Sequence, residues 1–323
     1  MDYKYGLFKI VFMSLKNYLD ASRWVRDQRR RLPEGVVKST FHYRNDLSTT
    51  HECNIYKPQH VEKTEDLPLI IDVHGGCWVH GDKDLNECFN YDLVLQGYTV
   101  SSLTYRTCDR VYLKDMVQDV FSYMHFLENC HEDLGIGLED VMLTGDSAGA
   151  QLSLLVWAIN QQPELQKLFE VEPVSFHVRC LCLTHPVCFL NTAATVPGNK
   201  YLTQIGREGL LRILFGEDWK NSEIYQAVHS PEQYLSRDLK MPPILVMTSQ
   251  GDSCYRDQSI MLERMLSDLG ADVSFYYEPD KKAVHVFNID NPETSLARRF
   301  NGAILEFFDS VCKTLGGSGL RAA

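Results

Sequence analysis

The sequence predicts an α/β fold in which a mostly parallel central sheet carries helices on both faces. Short apolar runs and amphipathic segments alternate through most of the 323 residues. Runs such as "LPLIIDV" and "PPILVM" are apolar at nearly every position, as expected for strands that are buried on both faces. Strands that alternate with helices in this way are typical of parallel sheets.

The elements follow in chain order from these runs and from the turn residues between them. A long helix opens the chain, and two strands, "VVKSTFHYR" and "HECNIYKP", follow it with a polar turn between them. The alternating part then comprises the strand "LPLIIDV", a helix at about 84–96, the strand "YTVSSLTYR", a helix at about 111–130, the strand and helix of "VMLTGDSAGAQLSLL", a strand at 178–184, the strand "PPILVMTS", a helix at 256–269, the strand "DVSFYYEP" and a helix at about 293–313.

We expect one core domain made of residues 33–190 and 241–315, because both parts keep the strand–helix alternation. Residues 191–240 carry no strand-like run and are too long for a simple connection, so they predict a helical cap over the carboxyl edge of the sheet. Residues 1–32 predict an amphipathic helix that joins this cap, and a helix lying on a membrane surface is the competing interpretation. Residues 316–323, "GGSGLRAA", have the composition of a linker.

Composition and charge exclude several classes of partner. The formal net charge is −11 and the only basic block is Arg29-Arg30-Arg31, so the sequence predicts no nucleic-acid partner. The apolar run of the first helix is too short to span a bilayer, which predicts no stable membrane insertion. The ten cysteines are scattered without a CxxC pair. That pattern predicts reduced thiols in a cytoplasmic protein. The sequence has no metal-ligand cluster such as HExxH, and we expect neither a metal nor a cofactor.

The segment "VMLTGDSAGAQLSLL" predicts a nucleophile at Ser147. A strand-like run leads directly into Gly-x-Ser-x-Gly, and a helical run follows. Glycines at 145 and 149 permit a tight, strained turn that lifts the serine hydroxyl clear of its neighbours. The N-terminus of the following helix, with the N–H of Ala148, would face an oxyanion formed there.

A second glycine-rich turn, "DVHGGCWVHGD", ends the strand "LPLIIDV". Gly75 and Gly76 would let the backbone turn its N–H groups toward a bound acyl oxygen. We expect His74 to brace this loop through hydrogen bonds and not to act as a base, because a base there would compete with the loop's own role.

A serine hydroxyl needs a base, and the base needs an orienting acid. Asp252 follows a buried strand and His285 follows the next one. The chain order of serine, aspartate and histidine is that of α/β-hydrolases among the serine-hydrolase arrangements. Asp257 is the rival acid, but it falls in the next helix pattern. Asp280 and Asp290 are weaker rivals.

These motifs resemble the hormone-sensitive-lipase-like branch of the α/β-hydrolase esterases and lipases, over most of residues 50–313. The motifs that carry the resemblance are His74-Gly75-Gly76, Gly145-Asp146-Ser147-Ala148-Gly149, Gly251-Asp252 with Asp257, His285-x-Phe287, and Tyr105-Arg106 with Asp119-Val120. The resemblance implies a carboxylesterase with a helical cap and a Ser147–His285–Asp252 triad. It also implies oxyanion donors at Gly76, Cys77 and Ala148, and such relatives often form homodimers.

Two departures from the family pattern affect the site. Cys77 stands where the family has a third loop glycine, so its side chain narrows the pocket. Thr107-Cys108-Asp109-Arg110 replaces the usual Leu-Ala-Pro-Glu. Because Cys77 and Cys254 flank the predicted oxyanion loop and acid, we expect a thiol reagent to slow the enzyme.

The sequence therefore predicts a serine carboxylesterase that hydrolyses small-molecule esters with short- to medium-chain acyl groups, acetyl included, through an acyl-enzyme. "HGGCW" and "DSAGAQL" are also similar to formamidases and carbohydrate deacetylases, which makes such an activity the alternative. A ligand-binding protein without turnover is disfavoured, since all three triad residues are present. Trp78, Asp146, Leu214 and Phe215 are expected to contact substrate, although the two cap residues would equally suit a cap core.

Overall fold

The computed structural model describes residues 3–27, 31–193 and 200–314. The strands in chain order are β1 (Val36–His42), β2 (Glu52–Pro58), β3 (Leu69–Val73), β4 (Thr99–Leu103), β5 (Val141–Asp146), β6 (Val178–Thr184), β7 (Ile244–Ser249) and β8 (Val273–Glu278). They form one eight-stranded sheet in the order β1-β2-β4-β3-β5-β6-β7-β8. β2 pairs antiparallel with β1 and β4, and the pairings from β4 to β8 are all parallel.

Helices cover both faces of this sheet, as the alternation predicts. They are α1 (Tyr3–Asp27), α2 (Glu87–Leu95), α3 (Leu113–Leu134), α4 (Ala148–Gln161), α5 (Pro163–Phe169), α6 (Lys200–Phe215), α7 (Glu223–Val228), α8 (Arg256–Asp268), α9 (Phe287–Asp290) and α10 (Ser295–Thr314). One hydrophobic core contains side chains of α3, α4, α6 and α8, and the other contains side chains of α2, α9 and α10. The predicted α/β class is confirmed.

The alternation of side chains along a strand builds both cores at once. In β3, Leu69 and Ile71 belong to one core and Ile70 to the other, and all three are completely buried. Successive side chains of a strand point to opposite faces of the sheet. A run without polar interruptions therefore marks a strand covered on both sides.

The order of the strands creates a switch point between β3 and β5. From β3 the chain moves outward to β4, whereas from β5 it moves in the opposite direction to β6. The loops that leave the carboxyl ends of β3 and β5 consequently separate toward opposite faces and leave a crevice, the usual ligand position in open α/β sheets. The loop after β3 is the predicted oxyanion loop, and the residue after β5 is Ser147.

The predicted element boundaries differ from the structure mainly at helices. Helix α3 extends four residues past its predicted end because Gly135 adopts a left-handed conformation, φ 57°, and closes the helix there. Helix α5 was not predicted; it is a short helix that begins with Pro163 at its first position. The segment 191–240 contains α6 and α7 in its described part and no strand there. Residues 316–323 lie outside the described residues.

Helix α1 docks on the protein, which favours the first of its two interpretations. Its Phe12 is buried, and the ring of Phe8 stacks on that of Phe12 with centroids 5.3 Å apart. A Cβ at Gly209 in α6 would lie 2.1 Å from Cγ of Phe8. Arg23 also donates to both carboxylate oxygens of Asp82, at 2.8 and 2.7 Å.

Polar contacts at the end of α1 reach the loops around the crevice. Nη1 of Arg26 donates to Asp290 at 2.6 Å, and the Nδ1 of His80 lies 2.5 Å from a carboxylate oxygen of Asp20. The outward face of the helix exposes Ile10, Val11, Tyr18 and Trp24. Among the described helices, none combines the length and the apolar character needed to cross a bilayer.

Gly209→Ala is expected to loosen α1, because the new methyl group would overlap the Phe8 ring. In an open helical position the same change should stabilise the protein by up to about 1 kcal/mol. Gly302 in α10 is the matched control, since nothing lies within 4 Å of the Cβ it would gain. We expect Gly209→Ala to lower the melting temperature and expose α1 to proteolysis, and Gly302→Ala to raise the melting temperature. Equal stabilisation by both changes would contradict the close packing of α1 on α6.

Candidate active site

Ser147 stands at a strained turn between β5 and α4. Its backbone has φ 53° and ψ −115°, a conformation that a side-chain-bearing residue seldom adopts and that costs about 1–3 kcal/mol. Its N–H donates to the carbonyl of Thr184 at 2.9 Å. A Cβ at Gly149 would lie 1.9 Å from the carbonyl oxygen of Val73, so only glycine lets α4 start this close to β3. The Gly-x-Ser-x-Gly pattern thus has the strand–turn–helix geometry expected of a nucleophile elbow.

The structure brings Ser147, His285 and Asp252 together. Nε2 of His285 lies 2.9 Å from Oγ of Ser147, and Nδ1 of His285 lies 2.8 Å from Oδ2 of Asp252. Asp252 and Ser147 are buried, whereas the side chain of His285 is 25% exposed. A hydroxyl, an imidazole and a carboxylate in this order have the contacts needed for nucleophilic catalysis.

Three donors keep Asp252 ionised. Oδ1 accepts the N–H of Tyr255 at 2.9 Å, and Oδ2 accepts Nδ1 of both His285 and His185, the latter at 3.0 Å. Burial alone would raise the pKa of Asp252, but the hydrogen bonds from the two histidines outweigh burial and hold that pKa well below its usual range. Sequence reasoning missed His185; its only signal is a histidine directly after the apolar strand "VRCLCLT".

The oxyanion loop is held in an unusual backbone conformation. Gly76, Cys77 and Trp78 have φ values of 92°, 55° and 60°. Within the described residues, the N–H groups of Gly76, Cys77 and Ala148 donate to no other group of the protein. The N–H of Gly75 instead donates to Oδ1 of Asp146 at 3.0 Å, so it is not free to bind an oxyanion. The expectation that Gly75 contributes to the oxyanion hole is therefore wrong, because its N–H is already occupied.

His74 braces this loop, as its position in the sequence suggests. Its Nδ1 lies 2.9 Å from the carbonyl oxygen of Gly75, and its ring stacks on Tyr105 with centroids 4.2 Å apart. The hydroxyl of Tyr105 donates to the carbonyl of His74 at 2.9 Å. Burial lowers the pKa of His74 to about 4, so its ring stays neutral near pH 7.

A buried polar network supports the loop from behind. Nδ2 of Asn86 donates to Asp146 at 2.8 Å and to Asp72 at 3.2 Å, and Asn90 donates to the other oxygen of Asp72 at 3.2 Å. Burial, reinforced by the charge of Asp146, raises the pKa of Asp72 to about 7. Burial also raises the pKa of Asp146. In the sequence, Asp72 stands out as an aspartate inside an otherwise apolar strand, but that pattern alone does not predict the network.

The four residues predicted to contact substrate have other contacts in the structure. Asp146 is buried in the network just described, and it also borders a cavity that α1 helps to enclose. Trp78 is 3% exposed, and its Nε1 donates to Gln151 at 3.0 Å. Leu214 is completely buried in the core, and Phe215 packs on Tyr225. The interpretation of the last two as cap core fits these contacts better than substrate contact.

A cavity of about 320 Å³ lies between α1, the oxyanion loop and the segment after His285. Its walls include Leu19, Ser22, Arg23, Arg26, Gly76, His80, Leu85, Asn86, Asp146, Val286, Ile289, Asp290 and Asn291. It therefore touches the residue before Ser147 and the residue after His285.

Two of the rival acids, Asp257 and Asp290, pair with arginines instead of His285. Asp257 is exposed in the first turn of α8 and pairs with Arg256 at 3.3 Å. Asp290 pairs with Arg26.

Among the residues the structure describes, one group could place metal ligands together: His185, Asp252 and His285, with ligand atoms within 4.8 Å of one another. The Nδ1 atoms of both histidines donate a hydrogen to Oδ2 of Asp252. A nitrogen that carries a hydrogen has no free lone pair, so neither Nδ1 is available as a metal ligand in this arrangement.

A model of the BD-FAE family matches residues 53–266, more than half of the chain. The matched range contains Ser147 and Asp252, and His285 lies beyond it.

Among solved structures, esterase B from Lactobacillus rhamnosis is similar over almost the whole chain. The identity is 28%, the TM-score is 0.88, and the alignment covers 98% of each chain. A C4-C4 SN3 tributyrin phosphonate-inhibited form of that esterase has a TM-score of 0.86 at 28% identity and covers 96% of this chain and 97% of that one.

Two curated proteins match over shorter segments. A probable isoprenylcysteine alpha-carbonyl methylesterase of Oryza sativa subsp. japonica is 30% identical over 117 residues, 35% of this chain. A kynurenine formamidase of Drosophila melanogaster is 28% identical over 89 residues, 28% of this chain. The matches span 27% and 29% of those two proteins.

Asp72→Asn is expected to stabilise the protein more at pH 8 than at pH 5. The pKa of Asp72 is raised to about 7 in the fold, above its ordinary 3.8, so stability is lost as pH rises between these two values and stays lower above about pH 7. Asparagine removes this cost, and Asn90, whose Oδ1 is unpartnered, can turn to accept from it. The free energy of unfolding, relative to wild type, should increase by about 2 kcal/mol between the two pH values.

Asp66→Asn, at an exposed aspartate, is the control for this measurement. Its effect on the free energy of unfolding should be the same at pH 5 and pH 8. A pH-independent effect of Asp72→Asn as well would contradict a raised pKa at Asp72.

Thiol modification should act through Cys254 rather than Cys77. Cys254 is exposed, whereas burial raises the pKa of Cys77 to about 11 and keeps it unreactive near pH 8. We expect alkylation to reduce esterase activity while Ser147 still reacts with a phosphonate, because Cys254 lies between Asp252 and Tyr255. Cys254→Ser should abolish the sensitivity and Cys77→Ser should preserve it. Full activity after complete alkylation of Cys254 would rule this out.

Proposed function

The chain belongs to the BD-FAE family of α/β-hydrolase esterases and is a carboxylic ester hydrolase, and from this we propose that Ser147, His285 and Asp252 hydrolyse esters through an acyl-enzyme. The observation that carries the proposal is the pair of distances at His285, 2.9 Å to Ser147 and 2.8 Å to Asp252. They join three chain segments that are far apart in sequence.

The first step is attack by Oγ of Ser147 on the ester carbonyl carbon. Nε2 of His285 accepts the hydroxyl proton as the new C–O bond forms, and the imidazole becomes an imidazolium. Asp252, ionised and hydrogen-bonded to Nδ1, fixes the ring's tautomer and stabilises that charge.

The carbonyl oxygen becomes an oxyanion in the same step. The N–H groups of Gly76, Cys77 and Ala148 are the proposed donors to it. Removal of one such donor typically costs about 3–4 kcal/mol of transition-state stabilisation. The positive φ values of Gly76 and Cys77 support a loop held ready for this role, since the backbone needs no rearrangement when charge develops.

The tetrahedral intermediate collapses when Nε2 of His285 protonates the departing alkoxide, and the alcohol leaves. Water then attacks the acyl-enzyme carbonyl while His285 takes its proton. A second collapse returns the proton to Ser147 and releases the carboxylic acid. The chain's own groups supply every proton transfer.

We propose small substrates with short acyl chains. The cavity of about 320 Å³ beside Asp146 is at the lower end of the size range for ligand pockets. Leu19, Leu85 and Ile289 supply apolar wall, which suits an alkyl chain. The tributyrin phosphonate of the similar esterase B also carries C4 groups.

The ten cysteines are all free thiols, which is consistent with a cytoplasmic location.

Formamides and sugar acetates are the alternative substrates. The segment similar to kynurenine formamidase supports a formamide substrate, over 28% of the chain. The same triad can cleave an ester bond or a formamide bond. The two reactions differ in the leaving group that His285 protonates, an alcohol for the ester and an amine for the formamide.

Hydrolysis of p-nitrophenyl esters from acetate to laurate tests the proposal. We expect a maximum of kcat/KM at four carbons or fewer, and a loss of about 10⁴-fold or more in kcat for Ser147→Ala. Ser153→Ala is the control: Ser153 is in the same helix α4, and its hydroxyl donates to the carbonyl of Thr144 rather than to His285.

A Ser147→Ala variant that keeps wild-type turnover would overturn the assignment of the nucleophile. An optimum at laurate would overturn the short-chain proposal. Absence of ester hydrolysis together with cleavage of an N-formyl arylamine would establish the alternative substrate class.

A further inference from the structure

Asp252 is shared by two imidazoles. Nδ1 of His185 lies 3.0 Å from Oδ2, the same oxygen that accepts from His285. The two rings meet edge to face, with centroids 5.4 Å apart. A carboxylate that orients a catalytic histidine needs one such contact, so the second histidine requires a separate explanation.

His185 is buried in surroundings that would suit a purely apolar ring. Its side chain has no exposed area, and it stacks on Phe300 with centroids 5.6 Å apart, while Phe287 meets its edge at 5.9 Å. In the described part of the chain its Nε2 has no hydrogen-bond partner. The hydrogen bond to Asp252 is therefore the one side-chain contact that uses the polarity of the imidazole.

The backbone around His185 also connects the proposed nucleophile with the acid. Thr184 accepts the N–H of Ser147 at 2.9 Å, and the N–H of Val187 donates to the carbonyl of Ser147 at 3.3 Å. His185 itself has a left-handed conformation, φ 49°, and its N–H donates to the carbonyl of Met247 at 2.8 Å. The segment thus holds Ser147 through its main chain and Asp252 through one side chain.

We propose that His185 is a positioning residue for ester hydrolysis, which donates its Nδ1–H to Asp252, fixes the carboxylate toward His285 and weakens the carboxylate's hold on the proton of the base. This inference rests on the proposed function of Ser147, His285 and Asp252. His185 contacts neither substrate nor the reacting atoms.

The tautomer of His185 follows from its surroundings. Asp252 is ionised and can only accept, so Nδ1 of His185 carries the hydrogen. Burial lowers the pKa of His185 to about 4 despite its contact with the carboxylate, so the ring remains neutral at working pH. It therefore acts as a fixed neutral donor.

The donor should change the pH at which the base becomes active. A neutral donor on Oδ2 draws electron density from the oxygen that stabilises the His285 imidazolium, which favours the neutral, proton-accepting ring. The other groups close to His285 are the carboxylate of Asp252, the carboxylate of Asp146, which interacts with its charge, and the ring of Tyr255, 4.8 Å away between centroids. Each of them is kept in the variants below.

Two substitutions separate the donor from the ring. His185→Phe keeps an aromatic ring against Phe300 and removes the donor. His185→Asn removes most of the ring, but its Nδ2 occupies about the place of Nδ1 and can still donate to Asp252. For a short-chain p-nitrophenyl ester we expect the Phe variant to lose about 10- to 100-fold in kcat with KM changed less than about threefold. For the Phe variant, the pH at which kcat/KM falls to half its maximum on the acid side should rise by about 0.5 to 1 unit; we call this part of the profile the acid limb.

The Asn variant should recover most of kcat and the wild-type acid limb although it melts at a lower temperature. A purely structural role predicts the reverse order, with Phe active and Asn impaired, and that result would overturn the proposal. If the Phe variant does not fold, His185→Ala replaces it, because Ala and Asn both truncate the ring and only Asn donates. Equal acid limbs for Ala and Asn would then overturn it.

Wild type and Ser147→Ala are measured in parallel. An inactive wild type, or an active Ser147→Ala variant, would refute the proposed function itself. An active wild type that depends on Ser147, combined with a His185→Phe variant of unchanged kcat and pH profile, would refute only the role of His185.

Discussion

The close approach of α4 to the carboxyl end of β3 is the contact on which the site depends. It exists because position 149 has no Cβ: the carbonyl oxygen of Val73 fills the space that one would need. This contact sets Ser147 beside the loop that starts at His74, at the point where the strand order reverses direction. The strained backbone of Ser147 is therefore held from two sides, by β3 below and by the Thr184 carbonyl beside it.

Two buried aspartates near this contact show how surroundings decide the state of one residue type. Asp72 and Asp252 are each 1% exposed. Asp252 receives a backbone N–H and two imidazoles, so its pKa falls well below the usual range. Asp72 is buried, receives two amide groups and faces another carboxylate, so its pKa rises to about 7. The first arrangement maintains a charge where the proposed mechanism uses one, and the second carries an electrostatic cost behind the oxyanion loop.

The sequence predicts the sheet, its helices and the three proposed catalytic residues, because each has a local signal. An apolar run marks a strand, glycines bracket Ser147, and loop positions after strands mark Asp252 and His285. Contacts that depend on packing between distant segments have no such signal. The bond from Gly75 to Asp146, the pairing of His185 with Asp252 and the burial of Leu214 arise only when loops from different strands meet. Trp78 likewise looks like a substrate contact until its partner Gln151 is known.

Helix α1 has a further consequence for the order in which the molecule folds. Its partners are far away in sequence: Asp82 is 59 residues from Arg23, and Asp290 is 264 residues from Arg26. Contacts between residues so far apart require the closure of long loops, so we expect α1 to attach late in folding, with its apolar side uncovered until then. Its attachment completes the wall of the cavity beside Asp146. That cavity is therefore closed by one of the least local contacts of the fold.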